Sequence, residues 1–396
     1  MGILLGGLFA GMVYVIIAIV IKFAGTRWIE KLMPPVIIGP TVALIGLSLA
    51  GAAMGDIVKA NSSAANGAYN LVALFCGLVT FMSVVIFSVQ NKFKAGRLIP
   101  FILGIGVGYL VATIFTIFGN AFNLDYLKIV NWDPIVENFK NINIESFLTY
   151  PRFALIGGIK ELVNGEVSAE ILAANADAHV ITGIGVAEVA LAFVPVAFVT
   201  FAEHIADHKN LSSVINKDLL QDPGLSRTLL GDGVGSMVGT VFGICPNTTY
   251  GESVGCVAIT KNASVRTIFA AACMLIVLAF LSPLTAALRT IPNCVMGGVC
   301  LTLYGFIAVS GFKMFQKVDL NQNKNLFIVA AILISGIGGL SLQIPYAVAN
   351  DGKVTNAITI TSIATALILG IVTMVVCNAI EKRNAPEETA EEPKEE

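Results

Sequence analysis

Two short stretches of this chain place polar and ionisable side chains inside otherwise apolar sequence. The first is Phe242–Lys261, FGICPNTTYGESVGCVAITK, where Pro246 and the run Asn247-Thr248-Thr249-Tyr250 lead into Gly251, Glu252 and Ser253. A polar, helix-broken segment at membrane depth is tolerated only where it is buried in protein or lines a cavity, and an ionisable residue there points to function. Extended backbone through Cys245–Tyr250, followed by a helix from about Gly251, aims free N–H groups at a ligand beside Glu252. The Glu252 carboxylate then accepts from the N–H donors of a small polar substrate, with Thr249, Gly251 and Ser253 around it. The second stretch ends the apolar run Leu191–Ala202 with Glu203, His204, Asp207 and His208. Residues 203 and 207 lie one helical turn apart, so both carboxylates share a face with His204 beside it. That pattern suits a proton site: a desolvated carboxylate holds a proton more readily, and a neighbouring Asp or His exchanges it.

The elements that must position these residues are membrane spans. The 396 residues are 56% hydrophobic and 13% charged, with a formal net charge of −2 and a mean hydropathy of +0.82, which excludes an ordinary soluble domain. No basic stripe suggests nucleic acid. The seven cysteines are scattered without metal-ligand or disulfide-framework spacing, so no metal or cofactor is expected. The glycines of Leu230–Gly243 (LGDGVGSMVGTVFG) and Leu103–Leu110 read as helix packing, because no phosphate-loop lysine follows them. No catalytic constellation supports an enzyme.

Apolar runs are expected to span near Gly2–Ile21, Pro35–Ala53, Leu71–Val89, Ile99–Phe118, Ile181–Ala202 and Thr228–Phe242. Others follow near Gly251–Thr260, Thr267–Leu288, Val295–Gly311, Leu326–Leu342 and Ile358–Val376, about eleven in all. Lys and Arg gather in alternate loops, which sets the C-terminus in the cytoplasm. The acidic segment 120–180 is then an extracytoplasmic loop with short helices, and Glu381–Glu396 a disordered tail. Met33-Pro34-Pro35-Val36-Ile37-Ile38-Gly39 lines up with Ile291-Pro292-Asn293-Cys294-Val295-Met296-Gly297, and the two copies run in opposite senses. An inverted repeat of this kind is a transporter architecture. Its first half is short by three spans.

At these residues the chain resembles the nucleobase–ascorbate transporter family, and within it the bacterial uracil branch. The carrying motifs are Glu252-Ser253-Val254-Gly255 with Thr260-Lys261, the preceding PNTTYGE, AEH at 202–204 and KDLLQDPGLSRTLLGDG at 217–233. The resemblance implies an all-α polytopic fold of two inverted sevens, with short strands at the broken helices and core and gate domains. On that plan residues 1–22 are a core span and 23–119 gate spans of the first repeat. Residues 181–288 are core spans of the second repeat with the site, and 289–380 its gate spans. It further implies Glu203 and Glu252 as substrate contacts, and proton-coupled uptake of a nucleobase across the inner membrane, often by a homodimer. Ser253 stands where the family usually has Asn. Asp207 stands where the uracil branch often has His, closer to purine-transporting relatives. Xanthine or another purine is therefore the alternative substrate, and a non-transporting membrane fragment the alternative from another class.

Overall fold

The computed structural model describes residues 2–60, 69–90, 94–150, 153, 183–251, 253, 254, 257, 260–316, 318–348 and 354–384. The expected spans appear as helices whose ends are set by local chemistry. α1 (Gly2–Ala24) is followed by the short α2 (Arg27–Leu32) and by α3 (Pro35–Ile57). Pro34 is extended at the N-cap of α3 and Pro35 fills its first turn, where a missing N–H costs nothing. α4 (Leu71–Val89) is capped by Asn70, whose Oδ1 accepts from the amides of Val72 and Ala73 at 2.8 and 3.0 Å. α5 (Lys94–Leu98), α6 (Pro100–Ala121) and α7 (Asp133–Lys140) follow, the last two again opened by proline in the first turn.

The second half begins with α8 (Gly183–Ile215), 33 residues with Pro195 inside, so the helix runs well past the expected boundary at Ala202. α9 (Leu225–Val241), α10 (Val265–Ala279) and α11 (Ser282–Arg289) come next. α12 (Asn293–Phe315), α13 (Asn323–Ile337) and α14 (Ser362–Asn384) complete the helices, with a two-stranded antiparallel hairpin, β1 (Leu342–Val348) and β2 (Val354–Ile360), between the last two.

Two sequence expectations are corrected. The run Thr267–Leu288 is not one span: α10 ends at Ala279, and Ser282-Pro283 opens the separate α11 after an extended Leu281. Proline cannot donate to the preceding turn, so the new helix starts there. The run Ile358–Val376 does not begin as helix either, since Ile358–Ile360 end strand β2 and the helix starts at Ser362. Seven described helices are long and apolar enough to cross a membrane, and Val265–Ala279 and Asn323–Ile337 are shorter apolar helices. The described part of the 120–180 loop does hold short helices, at Asp125–Leu127, Asp133–Lys140 and Ile144–Ser146.

Packing divides these helices into two groups. α1 lies along α9 and α8. A methyl added at Gly11 of α1 falls 2.7 Å from the Gly233 carbonyl of α9, so only glycine allows this approach. In the other group α3 packs on α12 and α13, and α4 on α6 and α12. The helices α3 and α12 run antiparallel: Gly39 faces Gly311, Gly46 faces Ala308, and Ile57 faces Gly297. The matching Pro34 and Pro292 N-caps thus open two helices that cross in opposite senses, as the repeat requires. One apolar core joins both groups, running from Tyr14 and Ile17 through Ile37 and Ile38 to Phe201, Ile205 and Ile332.

Candidate functional site

The buried polar layer of α8 lies where it faces α9 and the extended segment after it. Glu203, His204 and Asp207 are 7%, 3% and 6% exposed, so the turn that leaves the apolar run does not leave the protein interior. Phe201, Ala202, Ile205 and Ala206, all buried, surround them on the same two turns. Charged groups at such a depth persist only when paired or hydrogen-bonded.

His204 is the hub. Its Nδ1 lies 2.6 Å from Thr249 Oγ1 and 3.2 Å from Asp232 Oδ2, and its Nε2 lies 3.1 Å from Thr228 Oγ1. Thr249 also donates to Asp232 Oδ2, at 3.2 Å. Tyr14 of α1 meets the His204 ring edge-on, with centroids 6.1 Å apart, and donates from its hydroxyl to Thr200 Oγ1 at 2.9 Å. His208 stacks on the other side at 4.3 Å, and its Nδ1 reaches the His204 carbonyl at 2.9 Å. Three elements distant in sequence therefore converge on one imidazole. Asp232 was hidden in a glycine-rich run read only as helix packing. The signal that could have found it is an aspartate inside an apolar stretch.

The segment after α9 has the broken geometry expected. Gly243 has φ +97°, the left-handed region glycine favours, and residues 244–250 carry no helix. Ser236 of α9 donates to the Asn247 carbonyl at 3.1 Å and also bonds the Asn247 side chain, which pins the non-helical segment to the helix before it. Helical turns resume beyond Gly251: the Ser253 and Val254 amides reach the carbonyls of Tyr250 and Gly251 at 3.2 and 3.0 Å. Lys261, with φ +55°, ends them.

Of the expected substrate contacts, Thr249 is half-buried against His204, and Gly251 packs on Asp207. A methyl at Gly251 falls 2.6 Å from Asp207 Oδ1, so glycine sets how closely the half-helix approaches α8. Ser253 is exposed and turns its hydroxyl back to the Tyr250 carbonyl at 2.7 Å, away from the buried layer. Glu252 lies outside the described residues. Of the expected proton carriers, His204 is brought together with Asp232 and Thr249, and Asp207 with Gly251, while Glu203 is buried on the same helix beside them.

Two cavities flank this layer along α8. One of about 140 Å³ lies toward its N-terminal half, lined by Tyr14, Phe193, Thr200, Pro246, Asn247 and Thr248 among others. It is mostly apolar in its walls with a few hydroxyl and amide groups, the make-up of a small-molecule site. The other, of about 100 Å³, lies toward the C-terminal half, with Glu30, Ile205, Lys209, Asp218, Gln221 and Leu225 in its wall. Such a pair of recesses, with buried ionisable groups between them, is what moving a small polar solute past a closed layer requires.

Comparison with known proteins agrees with this reading. The family model Xan_ur_permease, a permease family, matches residues 2–344. The chain is 35% identical over 370 residues to a uracil permease of Bacillus caldolyticus, covering 93% of this chain and 73% of that protein. It is 34% identical over 345 residues to a uracil permease of Bacillus subtilis (strain 168), covering 86% and 69%. To a uracil permease of Escherichia coli (strain K12) it is 32% identical over 345 residues, covering 86% and 68%. With seven described helices long and apolar enough to cross a membrane, its paired proline-led helices and a match over residues 2–344, the chain belongs to the permease family and is a multi-pass membrane protein.

Proposed function

We propose that this protein carries uracil into the cell across the bacterial inner membrane together with a proton. The observation that supports this most directly is the buried layer of Glu203, His204 and Asp207 on α8, with His204 against Thr249 and Asp207 against Gly251, in a chain similar to uracil permeases. Uracil is flat and carries N–H donors and carbonyl acceptors. Carboxylates accept from its N–H groups, and the amides of a half-helix donate to its carbonyls. Glu203 and Glu252 are proposed as the carboxylates, with Thr249, Gly251 and Ser253 shaping the ground between them. Asp207 and His204 join Glu203 in handling the proton.

In this reading α1, α8, α9 and the broken segment form the moving core, and α3, α4, α6, α12, α13 and α14 form the gate. The Lys/Arg-rich ends, including Lys382 and Arg383 of α14, face the cytoplasm. The cavity at Phe193–Thr200 then opens outward and the one at Ile205–Lys209 inward. The protein works in lipid, as a homodimer. Xanthine or another purine base is the second reading, motivated by Asp207 at the position where the uracil branch often has His.

The test is counterflow of radiolabelled uracil in proteoliposomes of this chain, with xanthine as competitor. Uracil exchange resisting excess xanthine is expected; exchange of xanthine alone moves the assignment to purines. Undiminished uracil affinity in Glu203→Gln would sink the site assignment, since an amide replaces an acceptor-only group.

A further inference from the structure

Counting protons around His204 gives more than its position does. At Nδ1 stand Thr249 Oγ1 and Asp232 Oδ2, and Thr249 already gives its one hydroxyl proton to Asp232. Thr249 can therefore only accept from the ring, and a carboxylate only accepts. Nδ1 carries a proton. At Nε2 the neighbour is Thr228 Oγ1, which in this structure donates to the Leu225 carbonyl at 3.1 Å. Toward Nε2 it too accepts, so this arrangement suits an imidazolium paired with Asp232.

A hydroxyl has a second option. If Thr228 swings its proton from the Leu225 carbonyl to Nε2, the same heavy atoms satisfy a neutral ring, protonated on Nδ1 alone. The Leu225 carbonyl keeps its place in the helix ladder. Both charge states are then fully hydrogen-bonded, with no heavy atom displaced. Asp232 and Thr249 hold Nδ1 in each state, and only Nε2 changes.

We propose that the transported proton is held on Nε2 of His204, with Asp232 as its fixed counter-charge and Thr228 as the positioning residue whose hydroxyl reverses to suit either state. This rests on the proton-coupled reading above. On release the Nε2–H bond breaks and the proton passes to water entering by the cavity at Ile205 and Leu225, leaving a neutral imidazole and an unchanged Asp232 carboxylate. Uptake is the reverse. The other groups against the ring are Tyr14 from α1, His208 on α8 and Thr249 from the broken segment, and the ionisable Glu203 and Asp207 are buried on the same two turns of α8. Since Thr249 stands two residues before Gly251, the charge on His204 is felt directly by the segment that leads into the substrate half-helix.

Two measurements test this. The first needs no transport: nitrogen NMR of the purified chain labelled at histidine, with His179→Asn and His208→Asn removing the other two of its three imidazoles. The expected neutral form is protonated on Nδ1, the tautomer Asp232 selects, and Asp232→Asn loses that preference. A neutral ring protonated on Nε2 in the parent chain overturns the proposal. The second compares proton-driven uracil accumulation with uracil counterflow. Thr228→Val keeps the shape and removes the hydroxyl, so accumulation falls about tenfold while counterflow persists. Thr228→Ser restores accumulation. Accumulation unchanged in Thr228→Val overturns the proposal. Absence of uracil counterflow in the parent chain removes the uracil reading instead, and the NMR result still decides where the proton sits.

Discussion

The contact of α3 with α12 and that of α8 with α9 use opposite means to hold two helices together. Between α3 and α12 glycines bring backbone against backbone: a methyl at Gly46 falls 2.5 Å from the Ala308 amide nitrogen, one at Gly297 2.6 Å from the Ile57 nitrogen, and one at Gly311 2.6 Å from the Gly39 carbonyl. Valines, isoleucines and leucines fill the rest, with Ile37, Ile38, Leu44 and Val295 fully buried. Between α8 and α9 the contact is made by His204 with Asp232 and Thr228. Close apolar packing gives one low-energy arrangement, because interiors deform little. A hydrogen-bonded ionisable layer has several, separated by protons rather than by displaced atoms. On the function proposed above, the first contact is the fixed wall and the second the part that changes state.

On that contrast, breaking the wall is expected to cost folding and breaking the layer to cost transport. The largest effect is expected from Gly46→Val in α3. The obstructing atoms are backbone and cannot swing aside, so overpacking of about 3 kcal/mol or more is expected, read as loss of monodisperse protein and of thermal stability. Gly305→Ala on α12 meets no atom within 4 Å and should leave folding unharmed. A tolerated valine at 46 would mean that the wall is soft.

Next, Asp232→Asn removes the partner of a buried imidazole that is 3% exposed. Proton-driven uptake should fall by about two orders of magnitude, the consequence of about 3 kcal/mol for breaking a buried pair, with protein yield retained. Uptake within a factor of two of the parent would place the changing part elsewhere. A smaller effect is expected of Gly251→Ala. The added methyl presses on the Asp207 carboxylate, a side chain that can shift, so a rise in uracil KM of about tenfold is expected with the fold intact. The smallest concerns Lys324 and Glu381, an ion pair at 2.8 Å joining α13 to α14 at partly exposed ends. Lys324→Ala should change stability by less than about 1 kcal/mol and leave uptake alone, since solvent screens such pairs.

Much of the wall was legible in the sequence. The Pro34-Pro35 and Pro292 starts and the glycines after them are local signals, and they appear as matched helix N-caps and a matched antiparallel crossing. The polar layer was legible residue by residue at Glu203, His204 and Asp207, since charges at the end of an apolar run stand out. Their partners were not. Asp232 and Thr228 reach His204 across 28 and 24 residues of chain, and no periodicity encodes a contact that depends on how two helices pack. Hydropathy also failed at the β hairpin and at Leu281. Ile358–Ile360 and the start of α14 lie in one stretch of apolar residues interspersed with Thr and Ser, and composition alone does not separate strand from helix there.

Pro195 gives α8 a mechanical meaning beyond its site. It removes an amide from the helix ladder one turn after Leu191, which leaves the two halves of the helix joined by a weakened turn. Glu203 lies eight residues beyond it, a lever arm of about 12 Å at the usual helical rise. A bend of about 10° at that joint therefore carries the carboxylate through about 2 Å, enough to make or break a hydrogen bond. At the far end Asn210 is tied to Ser310 of α12 by a bond of 2.6 Å, so the same bend is resisted where the helix touches the wall. The helix is thus a beam pivoted at its proline and tethered at its tip, with the chemistry mounted between.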